Sequence, residues 1–298
     1  MKILTFDIED WFHILDNPET RSADSWQSYE SRIQQGVDAI LELLDDASQP
    51  ATFFCLGWVG EQFPDVIRRI DNAGFEIASH SYAHQLAYNQ NRSEFREDLR
   101  KSLSVLQDLI GKLVDTYRAP GFSITSENLW AFEEIIEQGI KVDCSLFPAT
   151  RAHGGLPGIE HALPSIGHWD DHDIELFPIN TRSILGKKII YSGGGYFRVT
   201  PGFLLQRWFQ DDDYVMTYFH PRDFDVEQPI VPGLSAVRRF KSYVGIRGAR
   251  GKLVRLLRDN VFTDVRSASK SVDWDTVPRV NLKFTARGQT GVATTDAG

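Results

Sequence analysis

The first ten residues constrain the fold of this chain more than any other stretch, because a largely apolar run there ends abruptly in acids. The sequence KILTFDIEDW occupies residues 2–11. A strand inside a parallel sheet is apolar along its length, and its carboxyl end faces the crevice where ligands bind. Carboxylates buried there need a metal ion, an arginine or a protonated base beside them. We therefore predict that Asp7, Glu9 and Asp10 form one wall of an active site; a solvated acidic loop is the alternative.

Composition and charge narrow the class of protein. The chain has 298 residues, 42% of them hydrophobic and 24% charged, as in an ordinary globular protein with a sizeable core. Its net charge of −9 argues against nucleic acid as a partner. The two cysteines are too few for a disulfide framework and fit a reducing compartment. There is no signal-peptide pattern and no apolar run near 18 residues, so we expect no membrane span and a cytoplasmic location.

Apolar spacing predicts alternating strands and helices over the first half of the chain. Ile33, Val37 and Ile40, for example, recur at helical spacing, and the run at 51–56 predicts a strand. This alternation is typical of parallel βαβ units, in either a barrel or an open sheet. From 148 to 167 the chain is rich in Gly, Pro, His and Ala, which predicts a long surface loop.

The C-terminal part differs in charge from the rest of the chain. Residues 238–258 carry eight basic residues and no acidic one, and their spacing predicts a helix with a basic face. A salt-bridged helix face is the default interpretation; peripheral contact with anionic lipid headgroups or an anionic glycan is the alternative. Residues 285–298 are small and polar without periodicity, which predicts a disordered tail.

Two histidines follow the strand predicted at 75–79. The segment HSYAH places His80 and His84 four residues apart, and on a helical turn this spacing puts both imidazoles on one side. Two such rings can bind a cation together with a carboxylate and leave positions open for water and substrate. Because these rings and the acids share one sheet edge, we predict a metal site. His220 also ends an apolar strand and is a candidate general acid, with a structural histidine as the alternative.

Five segments, in order along the first 225 residues, carry a family resemblance. They are TFDIEDW at 5–11, EIASHSYAH at 76–84, YRAPG at 117–121, DCSL at 143–146 and YFHP at 218–221. The set resembles the NodB-homology polysaccharide deacetylases, carbohydrate esterase family 4, in the branch that includes peptidoglycan-deacetylase-like and allantoinase-like proteins. The resemblance implies an α/β fold, a distorted (β/α) barrel of about seven β/α units. We predict that the domain occupies residues 1–284. Within it, residues from about 235 to 284 would form a basic helical extension.

The resemblance also implies roles for single residues. Asp7 would be the general base and His220 the general acid. Arg118 would brace the active-site carboxylate, and Asp143 would help to orient the acid.

His80 and His84 would hold a divalent cation, with zinc preferred and cobalt, nickel or iron as alternatives. The third ligand is ambiguous, because the family's commonest motif has two adjacent aspartates and this chain has Asp7-Ile-Glu9-Asp10. Glu9 lies on the same side of an extended strand as Asp7; Asp10 can approach if the strand has already turned. We prefer Asp10 slightly, because a short side chain lies close to the common geometry, and keep Glu9 open.

Four further residues are candidate contacts to a sugar: Trp11, Tyr82, Tyr196 and Arg198. Core positions are the alternative for the aromatic rings. The last two follow the glycine run at 193–195, which lacks the Lys-Ser/Thr of a phosphate-binding loop and has a structural turn as its alternative.

The predicted function is metal-dependent hydrolysis of the N-acetyl group of an amino sugar, in a polysaccharide or in a precursor of a cell-surface, O-antigen-type glycan. Two alternatives stay open: hydrolysis of a small cyclic amide, as in the allantoinase-like branch, and an inactive glycan-binding protein. The presence of Asp7, both imidazoles and His220 argues against the inactive form. An N-acetylated sugar or glycan is the expected partner, and the sequence predicts no oligomeric state.

Overall fold

The computed structural model describes residues 1–15, 17–20, 22–149, 154–156, 162–184 and 186–283. A central sheet is built from the apolar stretches that predicted strands. The strands in chain order are β1 (Lys2–Ile3), β2 (Thr5–Ile8), β3 (Thr52–Cys55), β4 (Glu76–Ser79), β5 (Thr116–Tyr117), β6 (Val142–Asp143), β7 (Ser165–Trp169), β8 (His172–Leu176), β9 (Arg182–Ile184), β10 (Lys187–Ile189), β11 (Val215–Met216) and β12 (Arg279–Asn281).

Eight of these strands form one mostly parallel sheet in the order β12-β7-β8-β6-β5-β4-β3-β2. Each pair of neighbours from β2 to β6 is parallel, with Thr5 opposite Thr52 and Thr52 opposite Glu76. β8 pairs with β6 in parallel, and β7 pairs with β8 in the antiparallel direction. The carboxyl ends of β2, β4, β5 and β6 therefore meet at one edge, where ligand sites of parallel sheets lie.

The sheet curls toward closure beyond β2. β1 pairs in parallel with β11, and a bridge between Phe6 and Phe219 brings the end of that segment beside β2. Asp7 N donates to Phe219 O at 2.7 Å, and Phe219 N donates to Thr5 O at 3.1 Å. Within the described ranges no continuous ladder closes the barrel. The curl nevertheless places His220, the residue after Phe219, next to Asp7 and Glu9 at the carboxyl end of β2.

Helices connect the strands, as the alternating pattern predicted. They are α1 (Ala23–Trp26), α2 (Ile33–Ala47), α3 (Gly57–Gln62), α4 (Pro64–Asn72), α5 (Arg92–Ile110), α6 (Trp130–Glu137), α7 (Gly194–Val199), α8 (Gly202–Asp211), α9 (Ala236–Tyr243), α10 (Ile246–Asp259) and α11 (Val265–Ser271). The spaced residues Ile33, Val37 and Ile40 are among the five buried positions of α2. A capping box of Asn91 and Glu94 begins α5. None of the described helices is both long and apolar enough to cross a membrane.

Three segments predicted from the sequence differ from the structure or lie outside the described residues. The loop expected at 148–167 ends earlier, since β7 begins at Ser165, and parts of that loop, 150–153 and 157–161, lie outside the described residues. The basic segment forms two helices, because Gly245 between α9 and α10 has a φ of +79° that favours glycine and interrupts a helix. The tail expected at 285–298 also lies outside the described residues.

Aromatic rings fill the space beneath the functional edge of the sheet. Phe6 stacks on Phe53 with ring centroids 5.3 Å apart, and Phe219 lies 5.9 Å from Phe6 on the other side. All three rings are fully buried. Burial of this apolar area holds β2 between β3 and the segment that leads to His220.

Candidate active site

Asp7, near the end of β2, is buried against an arginine that is itself fully buried. Arg118, which follows β5 directly, donates NH1 to Asp7 Oδ1 at 2.6 Å and to Thr5 Oγ1 at 2.8 Å. Its guanidinium lies 4.0 Å from the centroid of the Phe54 ring. The structure therefore places Arg118 where it can brace Asp7, as expected from the family resemblance.

Glu9, His80 and His84 meet at one point beside Asp7. All three are buried, and their potential ligand atoms lie within 4.8 Å of one another. Glu9 Oε2 is 3.0 Å from His84 Nε2. His80 Nδ1 donates to the carbonyl oxygen of Arg118 at 2.8 Å, which leaves its Nε2 with the lone pair that a cation requires. One carboxylate and two imidazoles form a donor set that suits zinc, cobalt, nickel or iron.

The two histidines lie on an irregular loop, not on the helical turn that their spacing suggested. Ser81 and His84 have φ values of +69° and +51°, in a region that side chains of this kind rarely adopt. The Asp98 carboxylate of α5 holds the loop by accepting from Tyr82 N at 2.7 Å and Ala83 N at 2.9 Å. Asp98 was not among the residues predicted from the sequence, although its carboxylate holds the backbone between the two histidines.

Burial sets the protonation of the three potential ligands. It lowers the pKa of His84 to about 4 and also lowers the pKa of His80. Burial alone would raise the pKa of Glu9, but the adjacent imidazoles of His84 and His220 outweigh it and lower that pKa below its usual range. Near neutral pH the site therefore offers a carboxylate and two neutral imidazoles, which are the forms that bind cations.

The slight preference for Asp10 as third ligand does not fit this geometry. The Asp10 carboxylate accepts from Ser31 Oγ at 2.5 Å, Arg32 N at 3.0 Å and Trp11 N at 2.8 Å. These bonds engage it with the residues before α2 and not with the imidazoles. β2 stays extended through Ile8, so Glu9 follows Asp7 on the same side of the chain and takes the position beside the rings.

His220 faces the two acids from the segment beside β2. Its Nε2 lies 2.9 Å from Glu9 Oε1 and 3.8 Å from Asp7 Oδ2. Its Nδ1 lies 3.0 Å from Asp223 Oδ2, and its backbone N donates to the same oxygen at 3.0 Å. Burial alone would lower the pKa of His220, but the charges of Glu9 and Asp223 outweigh it and raise the pKa to about 10. The two carboxylates thus favour the imidazolium form of His220, which can donate a proton from Nε2.

Asp143, which we expected to orient the general acid His220, binds a different residue. Its carboxylate accepts from Ser145 N at 3.0 Å and Ser145 Oγ at 2.6 Å, and burial raises its pKa to about 7. Ser145 Oγ also accepts from Ala119 N at 2.8 Å, so Asp143 supports the loop after Arg118. In the part of the chain that is described, it makes no hydrogen bond to His220. Asp223 makes that contact; its position three residues after His220 was a signal that the sequence analysis missed.

Two of the four expected sugar contacts are engaged within the protein. Trp11 is buried, and its Nε1 donates to the carbonyl oxygen of Glu30 at 3.0 Å. Arg198 is only 6% exposed, and its NH1 lies 3.3 Å from Asp223 Oδ1. Neither side chain is presented to a sugar in this arrangement, so the expected role does not fit these two residues.

The other two expected contacts lie nearer to solvent. The Tyr82 hydroxyl donates to Glu61, and Lys101 Nζ lies 3.7 Å from the centroid of the Tyr82 ring. Tyr196 of α7 is 45% exposed. A sugar contact by Tyr82 or Tyr196 stays a prediction.

A cavity of about 360 Å³ lies beside His84, with Ile14 and Trp26 among its apolar walls. His13, missed by the sequence analysis, also lines it. Asp10 N donates to His13 Nδ1 at 3.0 Å, so the proton of the neutral ring is on Nε2. Among the described residues this buried Nε2–H has no hydrogen-bond partner. An unmet buried donor costs about 1–3 kcal/mol, which makes His13 a candidate donor to a substrate oxygen.

Comparison with known proteins finds two family models along the chain. Residues 16–135 match the family model of the polysaccharide deacetylases, and residues 144–270 match a domain of unknown function, DUF3473. The match at 16–135 confirms the resemblance that the five motifs predicted.

Two curated relatives are similar to part of the chain. A peptidoglycan-N-acetylglucosamine deacetylase of Bacillus cereus is 35% identical over 96 residues, which are 32% of this chain and 35% of that protein. A peptidoglycan deacetylase of Helicobacter pylori is 32% identical over 114 residues, which are 37% of each chain. The chain thus spans little more than a third of the length of these relatives.

Solved structures confirm the fold. A structure assigned to the polysaccharide deacetylases, from Mycobacterium smegmatis, superposes with a TM-score of 0.66 at 17% identity and covers 97% of this chain and 94% of its own. Puue allantoinase superposes with a TM-score of 0.57 at 14% identity, covering 90% of this chain and 88% of its own. At these identities the likeness concerns the fold alone, and it confirms the predicted α/β architecture of the barrel type.

Proposed function

We propose that the protein is a metal-dependent deacetylase that removes the N-acetyl group of an amino sugar in a polysaccharide or glycan precursor. The observation that carries the proposal is the convergence of Glu9, His80 and His84 beside Asp7 and His220. The polysaccharide deacetylase match supports the reaction class, and the names of the two curated relatives support an N-acetylated glycan as substrate.

Glu9, His80 and His84 would hold the cation. The fit rests on their buried, deprotonated donor atoms and on the His80 tautomer that the Arg118 carbonyl fixes. A divalent cation there would polarise the acetamide carbonyl and lower the pKa of the attacking water. Zinc is the first choice, because three protein ligands of this kind with open positions are typical of catalytic zinc sites; cobalt, nickel and iron accept the same donors.

Asp7 and His220 would move the protons. The Asp7 carboxylate, held by Arg118, would accept a proton from water as the water oxygen adds to the acetyl carbon. His220 would donate its Nε2 proton to the amide nitrogen as the C–N bond breaks, because an amine leaves poorly without that proton. Acetate and a free amino sugar are the products, and the two transfers balance the proton count.

The cavity beside His84 would receive part of the sugar. Its volume of about 360 Å³ falls in the range of small-molecule sites. The His13 Nε2–H would donate to a hydroxyl or acetamide oxygen, which would satisfy its unmet hydrogen bond.

A cytoplasmic location and an O-antigen-type context also stay predictions. In the cytoplasm the substrate would be a nucleotide-linked or lipid-linked precursor.

Acetate release tests the proposal directly. Metal-loaded protein should release acetate from at least one member of a panel of N-acetylated nucleotide sugars, chitooligosaccharides and peptidoglycan fragments. A chelator should stop the release, and added zinc or cobalt should restore it. No release from any member, or release that the chelator leaves unchanged, would contradict the proposal. Allantoin in the same screen tests the cyclic-amide alternative.

A further inference from the structure

The glycine run before α7 lets the chain approach the strand that leads to His220. Gly193 bridges to Tyr218, and a Cβ at Gly193 would collide with the carbonyl oxygen of Tyr218. Gly194 has a φ of +54°, in the region that favours glycine. Because α7 begins at this contact, Arg198 in its last turn is delivered to the same side of the molecule as His220.

Arg198 contacts the carboxylate that holds His220. Its NH1 lies 3.3 Å from Asp223 Oδ1, while Asp223 Oδ2 lies 3.0 Å from His220 Nδ1. The side chains of Arg198 and Asp223 are 5% and 3% exposed. Burial alone would raise the pKa of Asp223, but the hydrogen bond from His220 and the charge of Arg198 outweigh it and lower that pKa. A buried carboxylate with a cation on each oxygen is fixed in place.

The same guanidinium also binds the end of α9. Arg198 NH1 donates to Ser242 O at 2.8 Å, and NH2 donates to Lys241 O at 3.1 Å. No residue of α9 is fully buried, so the two hydrogen bonds from Arg198 are a substantial part of what holds its carboxyl end on the protein. Arg198 thus joins the basic C-terminal part of the chain to the carboxylate beside His220.

We propose that Arg198 is a positioning residue for the proton donor, acting through Asp223. It holds Asp223 so that this carboxylate fixes the Nδ1 side of His220 and aims Nε2 at the site, 2.9 Å from Glu9 Oε1. This assignment replaces the sugar contact expected from the sequence and accounts for the glycine run that delivers Arg198. It rests on the proposed function, since the role of His220 as proton donor is part of that proposal.

A variant pair separates positioning from simple support of the fold. Arg198→Met removes the guanidinium, and Arg198→Lys keeps the charge. Lys252→Met is the matched control, because Lys252 Nζ binds the carbonyl oxygens of Phe197, Arg198 and Thr200 but not Asp223. It therefore loosens the same segment without touching the pair that holds His220.

We expect Arg198→Met to lower kcat for acetate release at least about 10-fold, with KM and bound zinc within threefold of wild type. Arg198→Lys should recover part of kcat, and Lys252→Met should keep kcat within threefold even where its Tm falls. If Arg198→Met does not fold, Arg198→Lys is compared with Lys252→Met instead. At a similar Tm, the kcat of Arg198→Lys should be lower than that of Lys252→Met. Equal kcat in the Arg198 variants and wild type, or an equal loss in Lys252→Met, would overturn the proposal.

A second readout does not depend on turnover. In zinc-loaded protein, the side-chain ¹H–¹⁵N resonances of His220, assigned with a His220→Asn variant, should shift in Arg198→Met and stay in place in Lys252→Met. Unchanged His220 resonances in Arg198→Met would overturn the positioning role. If wild type released no acetate from any substrate while these shifts appeared, the proposed function would fail and the positioning of His220 would stand.

Discussion

The two sides of the candidate site are held by different means. On the ligand side, His80 is fixed by a backbone carbonyl, and the loop of His80 and His84 by backbone N–H groups that donate to Asp98. On the proton-donor side, the ring of His220 is fixed by the side chain of Asp223, which contacts Arg198. His80 and His84 lie in one short motif, but the groups that hold them, the Arg118 carbonyl and the Asp98 carboxylate, come from other segments. The His220 ring has its first partner three residues along the chain, and only Arg198 reaches it from a distant segment.

This difference has a functional consequence that variants can test. Damage to the ligand side should lower metal affinity and thereby all activity. Damage to the donor side should leave the metal in place and lower only the step that needs a proton.

The largest effect is expected for Glu9→Ala. It removes the carboxylate that lies 3.0 Å from His84 Nε2, so bound zinc should fall from about one per chain to near zero and acetate release to background. The loss of zinc affinity should exceed the roughly 100-fold typical of outer hydrogen-bond partners. Elemental analysis after dialysis measures it. Asp10→Asn is the matched control and should keep its zinc; if it lost zinc and Glu9→Ala did not, the ligand assignment would be reversed.

On the donor side, His220→Asn should lower kcat for N-acetyl substrates by about 10²–10⁴-fold, the range that a positioned general acid supplies. Bound zinc should not change. An ester such as p-nitrophenyl acetate, whose leaving group needs no proton, should lose much less activity than the amide. His172→Asn, at an exposed position of β8, serves as the control. An equal loss on amide and ester, or loss of zinc, would contradict the role of proton donor.

A smaller effect is expected for Asp98→Asn on the ligand side. Its carboxylate accepts two backbone hydrogen bonds from the histidine loop, and the amide can accept only with its one oxygen. Zinc affinity should fall about 10- to 100-fold, as for other outer partners of metal ligands. Competition with a chromophoric chelator measures it. The control is Asp108→Asn, at an exposed position on the same helix, which should bind zinc as wild type does. Unchanged zinc affinity in Asp98→Asn would show that the loop of His80 and His84 keeps its conformation without this carboxylate.

The sequence predicted which segments form the ligand side, because that information is local, but not the third ligand or the irregular loop of the two histidines. An apolar strand ending in acids, and a second strand ending in two histidines, must meet at one edge of a parallel sheet. The choice between Glu9 and Asp10 could not be made, because it depends on whether the chain has turned after β2. Ser31 and Arg32, which engage Asp10, lie twenty residues further on.

On the donor side, His220 itself was predicted from the sequence, but its partners were not. Asp143 was expected from the family pattern, whereas Asp223 holds the ring. Arg198 follows a glycine run whose purpose appears only when Gly193 is seen against Tyr218. Asp223 lies only three residues after His220, so its pairing could have been proposed from the sequence. The contact of Arg198 with Asp223 joins distant segments, leaves no periodic pattern in one sequence and comes only from the three-dimensional arrangement.

Asp143 belongs to neither side, and its replacement should affect catalysis least and the pH dependence of stability most. Its pKa is raised from 3.8 to about 7 by burial. Between these values the folded state keeps a proton that the unfolded state has released. The free energy of unfolding should therefore fall as pH rises from about 4 to 7, by about 4 kcal/mol from this group alone.

Asp143→Asn should remove that contribution, because an amide does not titrate and its oxygen can still accept from Ser145 N. Urea unfolding at pH 4.5, 6 and 7.5 measures the change, and the variant should gain stability relative to wild type as pH rises. Asp171→Asn, exposed in the turn before β8, should follow the wild-type curve. If Asp143→Asn instead lost the same stability at every pH, the carboxylate would be ionised in the folded protein and would act as a fixed charge near Arg118.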